Sequence, residues 1–422
     1  MSGFPWVGGA LHCEGVSVEA IVGAVGTPSY IYSAAEIREQ YRLLDTALHS
    51  VPHRIHYSVK ANSNGAVLAL LRSLGAGVDV VSGGELFRVR RAGFTGDDIV
   101  FSGVGKTERE LEEAVAGKVL LVNVESEGEL MLLGDVARRA DRRVPVAIRV
   151  NPEVTIETPH HYTRTGGKGD KFGIPFDDAI QAARSASSLP GIILTGLDMH
   201  IGSQVARIDS YRDGVLRLLE LLGQLRTEGL AGDLRYLDIG GGLAVTYDAE
   251  QPTDIGEFAA AILPSVTASG LTLIVEPGRF LVGNAGVLAT RALYRKRSGG
   301  RDYVITDAGM NDLLRPSHYN AYHRIESVRA PESSGVYDIV GPVCESGDFF
   351  ALGRRMPEVS EGDLLVVRSA GAYGYVMSST YNSRPRIPEV LVDGDRFAVV
   401  AQRESYEQLV AQEPEDLQWR TA

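Results

Sequence analysis

The chain is poor in cysteine, with two, Cys13 and Cys344, among 422 residues. That excludes a disulfide-stapled secreted scaffold and fits a reducing compartment. It also lacks a surplus of positive charge: 42 Lys and Arg against 54 Asp and Glu leave a net charge of −12. Nucleic-acid binding normally needs a basic patch or a high isoelectric point, so no such partner is expected. No run of about 18 apolar residues occurs, so no membrane span is expected. The opening MSGFPWVGGALHCEG has neither the basic start nor the apolar stretch of a signal peptide. The expectation is therefore a cytoplasmic protein. An anionic small substrate stays possible, because a few local arginines can reverse the field inside a pocket.

Apolar residues make up 44% and charged residues 23% of the chain, the balance of a globular protein. Its length is too great for one ordinary core, so two domains are expected. Eight short β-rich runs succeed one another: 54–60, 77–82, 98–103, 118–126, 144–152, 193–203, 234–242 and 271–279. Between them lie apolar residues at helical spacing, such as Val67, Leu70, Leu71 and Leu74, or Leu111, Ala114 and Val115. Eight such alternations predict an α/β fold, a (β/α)8 TIM barrel, with a doubly wound sheet as the competing arrangement. After about residue 285 short strands with turn signals take over, and Asp393-Gly394 is a hairpin signal. The expected domains are a barrel over 28–284 and a C-terminal β-rich domain over 285–422 joined by residues 1–27.

The run RIHYSVKANSN raises a chemical question, because an apolar strand ends on Lys60. Parity puts Ile55, Tyr57 and Val59 on one face and His56, Ser58 and Lys60 on the other. In a barrel the second set points inward, so Lys60 falls at the C-terminal mouth, where such barrels build active sites. A desolvated lysine can lose its proton and bond an aldehyde such as pyridoxal phosphate. That cofactor also needs a phosphate cradle and a partner for its ring nitrogen. Gly240-Gly241-Gly242 after one strand can bring bare N–H groups to a phosphate, or is simply a tight turn. Glu276, in EPGR after the next strand, can pair with the ring nitrogen, or with Arg279. His200, in HIGSQ, can stack on the ring, or is structural. Cys344 is either reactive or a small buried hydrophobe.

Taken together, HYSVKAN, HIGSQ, the GGG–EPGR pair and GPVCESGD resemble the fold-type III pyridoxal-phosphate-dependent amino-acid decarboxylases. The segments 307–323 and 370–394 are most similar to those of diaminopimelate decarboxylases within that family. The resemblance implies pyridoxal 5'-phosphate as cofactor and a homodimer with shared active sites. It implies cofactor contacts from Lys60, Asp79, His200, Ser203, Gly241, Glu276, Gly278, Arg279 and Tyr373. It implies substrate contacts from Arg279, Arg315, Tyr319, Glu345 and Tyr373. Lys60, Cys344 and His200 are the implied catalytic set, with Cys344 reaching across from the partner subunit as proton donor. No metal is implied. Loop 160–174, HHYTRTGGKGDKFGI, resembles the family's lid. Two departures stand out: Ser317-His318 replaces a small apolar pair, and Ala244 a common glycine.

The implied reaction is decarboxylation of meso-diaminopimelate to L-lysine and carbon dioxide. A bis-zwitterion suits it, since arginine grips a carboxylate bidentately and Glu345 can pair with an ammonium. Rival readings are a related decarboxylase acting on ornithine, arginine, carboxynorspermidine or a carrier-bound amino acid, and an amino-acid racemase. Relatives that act on a distal cation tend to present an acid where RPSHY presents Arg315. Racemases of this fold set an arginine, not a glutamate, against the ring nitrogen.

Overall fold

The computed structural model describes residues 3–154, 160, 167, 169–329 and 334–420. It comprises two compact units, 34–285 and 1–33 with 286–422.

In the first unit eight strands run β1 (His53–Ser58), β2 (Gly77–Val80), β3 (Ile99–Phe101), β4 (Leu121–Val124), β5 (Val144–Asn151), β6 (Ile192–Asp198), β7 (Tyr236–Asp238) and β8 (Thr272–Val275). All neighbours pair in parallel, and β8 pairs back onto β1, so the sheet closes. The expected barrel is present and the doubly wound alternative is not. Helix starts follow from capping side chains: Asn64, Ser82, Ser126 and Asp254 each accept a backbone N–H of the first turn, and Thr107 with Glu110 forms a full capping box. Leu111, Ala114 and Val115 are buried as their spacing predicts. Only a four-residue helix, Arg279–Val282, follows β8. The helix Ala34–Leu48, before β1, instead packs beside the helices Gly65–Ser73 and Ile255–Ser269 and completes the outer ring.

The strand periodicity sets two inward layers. The lower comprises His56, Gly77, Val100, Leu121, Ala147, Gly196, Tyr236 and Ile274, and is mostly apolar. Two residues further along each strand stand Ser58, Asp79, Ser102, Asn123, Arg149, Asp198, Asp238 and Glu276. All eight of these are polar and buried. The apolar layer closes the barrel floor, and the polar layer faces the mouth.

In the second unit a mixed sheet runs in the order Phe349–Pro357, Ser334–Val340, Arg301–Thr306, Gly286–Ser298, Ser29–Ser33, Glu389–Asp393, Arg396–Ala401. Gly394, φ +67°, makes the expected hairpin turn. The opening residues belong here, packing Leu11 and Ile21 against Ile31, Val287 and Val390. Ser29–Ser33, read from the sequence as barrel, lies inside this sheet instead. The reason is its composition: Tyr30, Ile31 and Tyr32 are buried on both faces, which suits a central strand. The Tyr32 hydroxyl donates to Glu389 Oε1 at 2.7 Å.

Candidate active site

The barrel mouth gathers eight of the residues the sequence points to. Strand β1 ends at Ser58, and Val59–Ala61 forms a 3-10 turn that carries Lys60 to the rim. Its Nζ donates to Asp79 Oδ2 at 3.1 Å, and its side chain stays 38% exposed. Ser58 Oγ lies 2.8 Å from the same Asp79 oxygen and 3.0 Å from the Glu276 carbonyl. Burial pushes the Asp79 carboxyl up, but Lys60 and the hydroxyls of Ser58 and Ser102 outweigh it and hold the carboxyl below its usual range. Asp79 therefore stays anionic and anchors the ammonium.

Further round the layer three acids crowd together. Oxygens of Asp198, Asp238 and Glu276 lie within 4.8 Å of one another, the one spacing among the described residues that suits a metal ion. Asp238 Oδ1 accepts the Gly240 N–H at 2.9 Å, while Asp238 Oδ2 and Asp198 Oδ1 are buried with no hydrogen-bond partner among the described residues. Ser102 Oγ lies 3.4 Å from Glu276 Oε1 and accepts from Asn123 Nδ2 at 3.1 Å. Burial first, then Asp238, Asp79 and Asp198, push the Glu276 carboxyl well above its usual range. Burial pushes Asp238 up to about 6, and burial with Asp238 pushes Asp198 well up. Arg149 is the cation of this layer, 2.7 Å from Glu125 and 3.8 Å from Asp198. Four acids thus face two cations, Arg149 and Lys60.

The loops after β6, β7 and β8 meet at the same mouth. Gly240 has φ +69°, and a Cβ there would sit 2.6 Å from His200 Nδ1. At Gly241 a Cβ would meet the Glu276 carbonyl at 2.1 Å. Only glycine lets this turn pass between its neighbours. The Gly241 N–H donates to His200 Nδ1 at 3.1 Å, so that nitrogen carries no proton. Desolvation, then the charges of Arg149 and Lys60, push His200 down to about 3, which keeps the ring neutral. Gly278 packs on Ser58 and Ala61, where a Cβ would meet their Cβ atoms at 3.0 and 3.1 Å. Arg279 Nη2 donates to Ser203 Oγ at 3.0 Å and Nη1 to the Tyr247 hydroxyl at 2.5 Å.

This set fits pyridoxal phosphate. Lys60 offers the amine, and the glycine turn with Ser203 and Arg279 offers donors for a phosphate. A protonated ring nitrogen would bring a positive donor to a layer with surplus acid. Lys60, Asp79, His200, Ser203, Gly241, Glu276, Gly278 and Arg279 are all brought together within one unit.

The remaining expected residues lie in the second unit, where three distant motifs are laced together. The Asp348 carboxylate accepts from Met310 N and Val343 N at 2.7 and 2.6 Å, joining DAGMND to GPVCESGD. Cys344, exposed, donates its N–H to Asn382 Oδ1 at 2.9 Å. Gly347 lies between Glu345 and Ser317, where a Cβ would stand 3.2 Å from Glu345 Oε1 and 3.3 Å from Ser317 Oγ. The short helix Arg315–Tyr319 buries Arg315 and leaves His318 exposed against the Tyr319 ring. Tyr373 has φ +56°, unusual for a bulky residue and typical of binding sites.

Sequence reasoning passed over Ser102, Asn123, Arg149, Asp198 and Asp238. Their signal was present: each stands two residues beyond an inward apolar, glycine or aromatic position, on the parity already applied to β1. Most of the lid segment, 155–159, 161–166 and 168, lies outside the described residues.

Comparison with known proteins agrees with this geometry. Residues 34–283 match the pyridoxal-binding domain of the pyridoxal-dependent decarboxylases. The chain belongs to that class. It is 46% identical over 415 residues to diaminopimelate decarboxylase of Pseudomonas fluorescens, covering 98% of this chain and 99% of the relative. With the Aquifex aeolicus enzyme of that name it shares 44% over 407 residues, 95% of each chain. It therefore belongs to the diaminopimelate decarboxylase family. The crystal structure of diaminopimelate decarboxylase from Helicobacter pylori complexed with L-lysine superposes with a TM-score of 0.90 at 37% identity, over 94% of this chain and 98% of that one. A lysine/ornithine decarboxylase from Vibrio vulnificus shares the fold, at 24% identity and a TM-score of 0.79 over 89% and 97% of the two chains. Among the described residues no helix is long and apolar enough to cross a membrane.

Proposed function

We propose that this chain decarboxylates meso-2,6-diaminopimelate at its D-centre, giving L-lysine and carbon dioxide, as a cytoplasmic homodimer with shared active sites. The observation that carries the reading is the Lys60–Asp79–Glu276 arrangement at the barrel mouth, in a chain whose relatives of 46% and 44% identity bear that enzyme name. Bound pyridoxal 5'-phosphate supplies the sink for the electron pair released as the carboxylate departs. Lys60 Nζ holds the cofactor's aldehyde, and Asp79 orients that amine. Glu276, kept in place by Ser102, holds a proton at the ring nitrogen. The neutral His200 ring would lie against the face of the bound cofactor. Gly241, Gly278, Ser203, Arg279 and Tyr373 hold the phosphate.

On the substrate side, Arg315 takes the distal carboxylate and Glu345 the distal ammonium. Tyr319 and Tyr373 line the substrate, and Arg279 serves both ligands. Cys344 Sγ, from the partner subunit, returns a proton to the α-carbon. Glu276 separates this reading from a racemase, and Arg315 from the ornithine, arginine, carboxynorspermidine and carrier-bound alternatives. The test is carbon dioxide release by the cofactor-loaded protein from meso-diaminopimelate, its LL isomer, ornithine and arginine. Release from the meso isomer alone is expected. Release from ornithine or arginine, or from none of the four, overturns the substrate assignment.

A further inference from the structure

We propose that His323 is the positioning residue that fixes the Arg315 guanidinium for a distal carboxylate and thereby sets substrate selectivity; this rests on the reading of Arg315 just given. Arg315 Nη1 lies 2.8 Å from His323 Nε2, and His323 Nδ1 lies 2.8 Å from the Arg368 carbonyl. His323 is fully buried and Arg315 is 7% exposed. A guanidinium has donors only and a carbonyl accepts only. The tautomer follows: Nε2 is bare and accepts from Arg315, and Nδ1 carries the hydrogen and donates to Arg368. His323 is neutral in this arrangement, because a protonated ring offers Arg315 no lone pair.

Arg368 and His323 are themselves braced. The Arg368 N–H donates to the Arg324 carbonyl at 2.8 Å, and its guanidinium donates twice to Glu326 Oε2, at 2.9 and 2.8 Å. Arg354 Nη1 donates to the His323 carbonyl at 2.9 Å, and its guanidinium stacks on Tyr322 at 3.9 Å. The ring therefore cannot turn without breaking bonds on either side. The choice of a histidine has a consequence for charge. Arg149 and Arg368 hydrogen-bond to carboxylates, Glu125 and Glu326, which cancel their charge locally. A neutral imidazole orients Arg315 without bringing a negative charge of its own. A buried arginine otherwise carries several rotatable bonds, and fixing one before binding removes an entropic cost from the substrate's affinity.

The experiment uses His323→Gln, His323→Asn and Arg315→Ala in the cofactor-loaded protein. Glutamine can place its carbonyl oxygen where Nε2 accepts from Arg315. Asparagine reaches only the Nδ1 position and keeps the donor to Arg368. KM and kcat for meso-diaminopimelate and the Kd of L-lysine are measured beside the bound-cofactor absorbance and Tm. L-lysine retains the distal carboxylate, so its Kd reads Arg315 without turnover. His323→Asn should raise KM and the L-lysine Kd by roughly tenfold with kcat within threefold, and His323→Gln should restore both to within about threefold. The double variant Arg315→Ala/His323→Asn should be no worse than Arg315→Ala alone. The proposal is overturned if His323→Asn leaves the L-lysine Kd unchanged, if glutamine and asparagine are equally damaging, or if the double variant's losses add. Should Arg315→Ala itself leave KM and the lysine Kd unchanged, it is the reading of Arg315 that fails.

Discussion

Lys60 and Asp79 form an ion pair across adjacent strands of the barrel, with Nζ 3.1 Å from a carboxylate oxygen that is wholly buried. The carboxylate does two opposed things. It aims the amine into the mouth, and it favours the charged form, which cannot attack an aldehyde. Asp79→Asn keeps the shape and removes the charge. Capture of pyridoxal phosphate by the apo-protein, followed by absorbance across pH, should then show its midpoint at lower pH, as expected for a lysine relieved of a close anion. An unmoved midpoint would remove Asp79 from control of the lysine.

The crowding of Asp198, Asp238 and Glu276 predicts a trade between stability and cofactor binding. Asp238 has its pKa raised to about 6 from 3.8. The folded state therefore holds this proton more tightly than the unfolded chain does. That stabilisation is complete below about pH 4 and is lost as pH rises through 6. Asp238→Asn keeps an acceptor for the Gly240 N–H and cannot ionise. Without cofactor, the variant should be more stable than the parent at pH 8, by on the order of 2 kcal/mol, and no more stable at pH 4. Urea midpoints at the two pH values measure this. Cofactor affinity should move the other way, because the layer has lost an acid that favours a positively charged ligand. An equal gain at both pH values would mean the carboxylates do not crowd one another.

Much of this was legible from residues alone, and for physical reasons. The eight-fold alternation survives because each β-strand must be apolar on its outer face, and each helix start carries its own cap. Lys60, His200, Gly241 and Glu276 stood out because they sit at strand ends, where side-chain type is not dictated by packing. Arg149 and Asp238 did not stand out, because a charged residue within an apolar run reads as a boundary until the inward parity of all eight strands is aligned. The strand Ser29–Ser33 was misplaced because its pairing partners, Gly286–Ser298 and Glu389–Asp393, lie more than 250 residues away. The His323 relay was invisible for a related reason: Arg368 lies 45 residues beyond His323, and its carbonyl has no signature at all.

The glycine turn predicts a substitution that cannot be absorbed. A Cβ at Gly241 would stand 2.1 Å from the Glu276 carbonyl, an atom fixed by the sheet rather than the tip of a side chain. Gly241→Ala must therefore move the loop or the start of EPGR. Overpacking of this kind costs about 1–3 kcal/mol. The cofactor's Kd, measured by equilibrium dialysis, should rise at least tenfold, because the Gly241 N–H and Glu276 shift together. Gly232→Ala serves as control: no atom lies within 4 Å of a Cβ there. Equal affinity in the two variants would detach the turn from cofactor binding.

Cys344 tests both the proton donor and the shared site. A thiol is a far stronger acid than a serine hydroxyl, so Cys344→Ser should fail as badly as Cys344→Ala. Loss of a general acid costs typically 10²–10⁴-fold in kcat, with bound cofactor retained. Lys60→Ala should instead abolish the absorbance of the lysine-bound cofactor. If Cys344 serves the partner's Lys60, subunits of these two inactive variants should complement one another. Random mixing makes half the dimers mixed, and each mixed dimer has one site with both groups intact. About one quarter of parental activity should return after denaturation and joint refolding. No recovery, with refolding of each variant verified by Tm, would place Cys344 and Lys60 in the same subunit's site or take the cysteine out of catalysis.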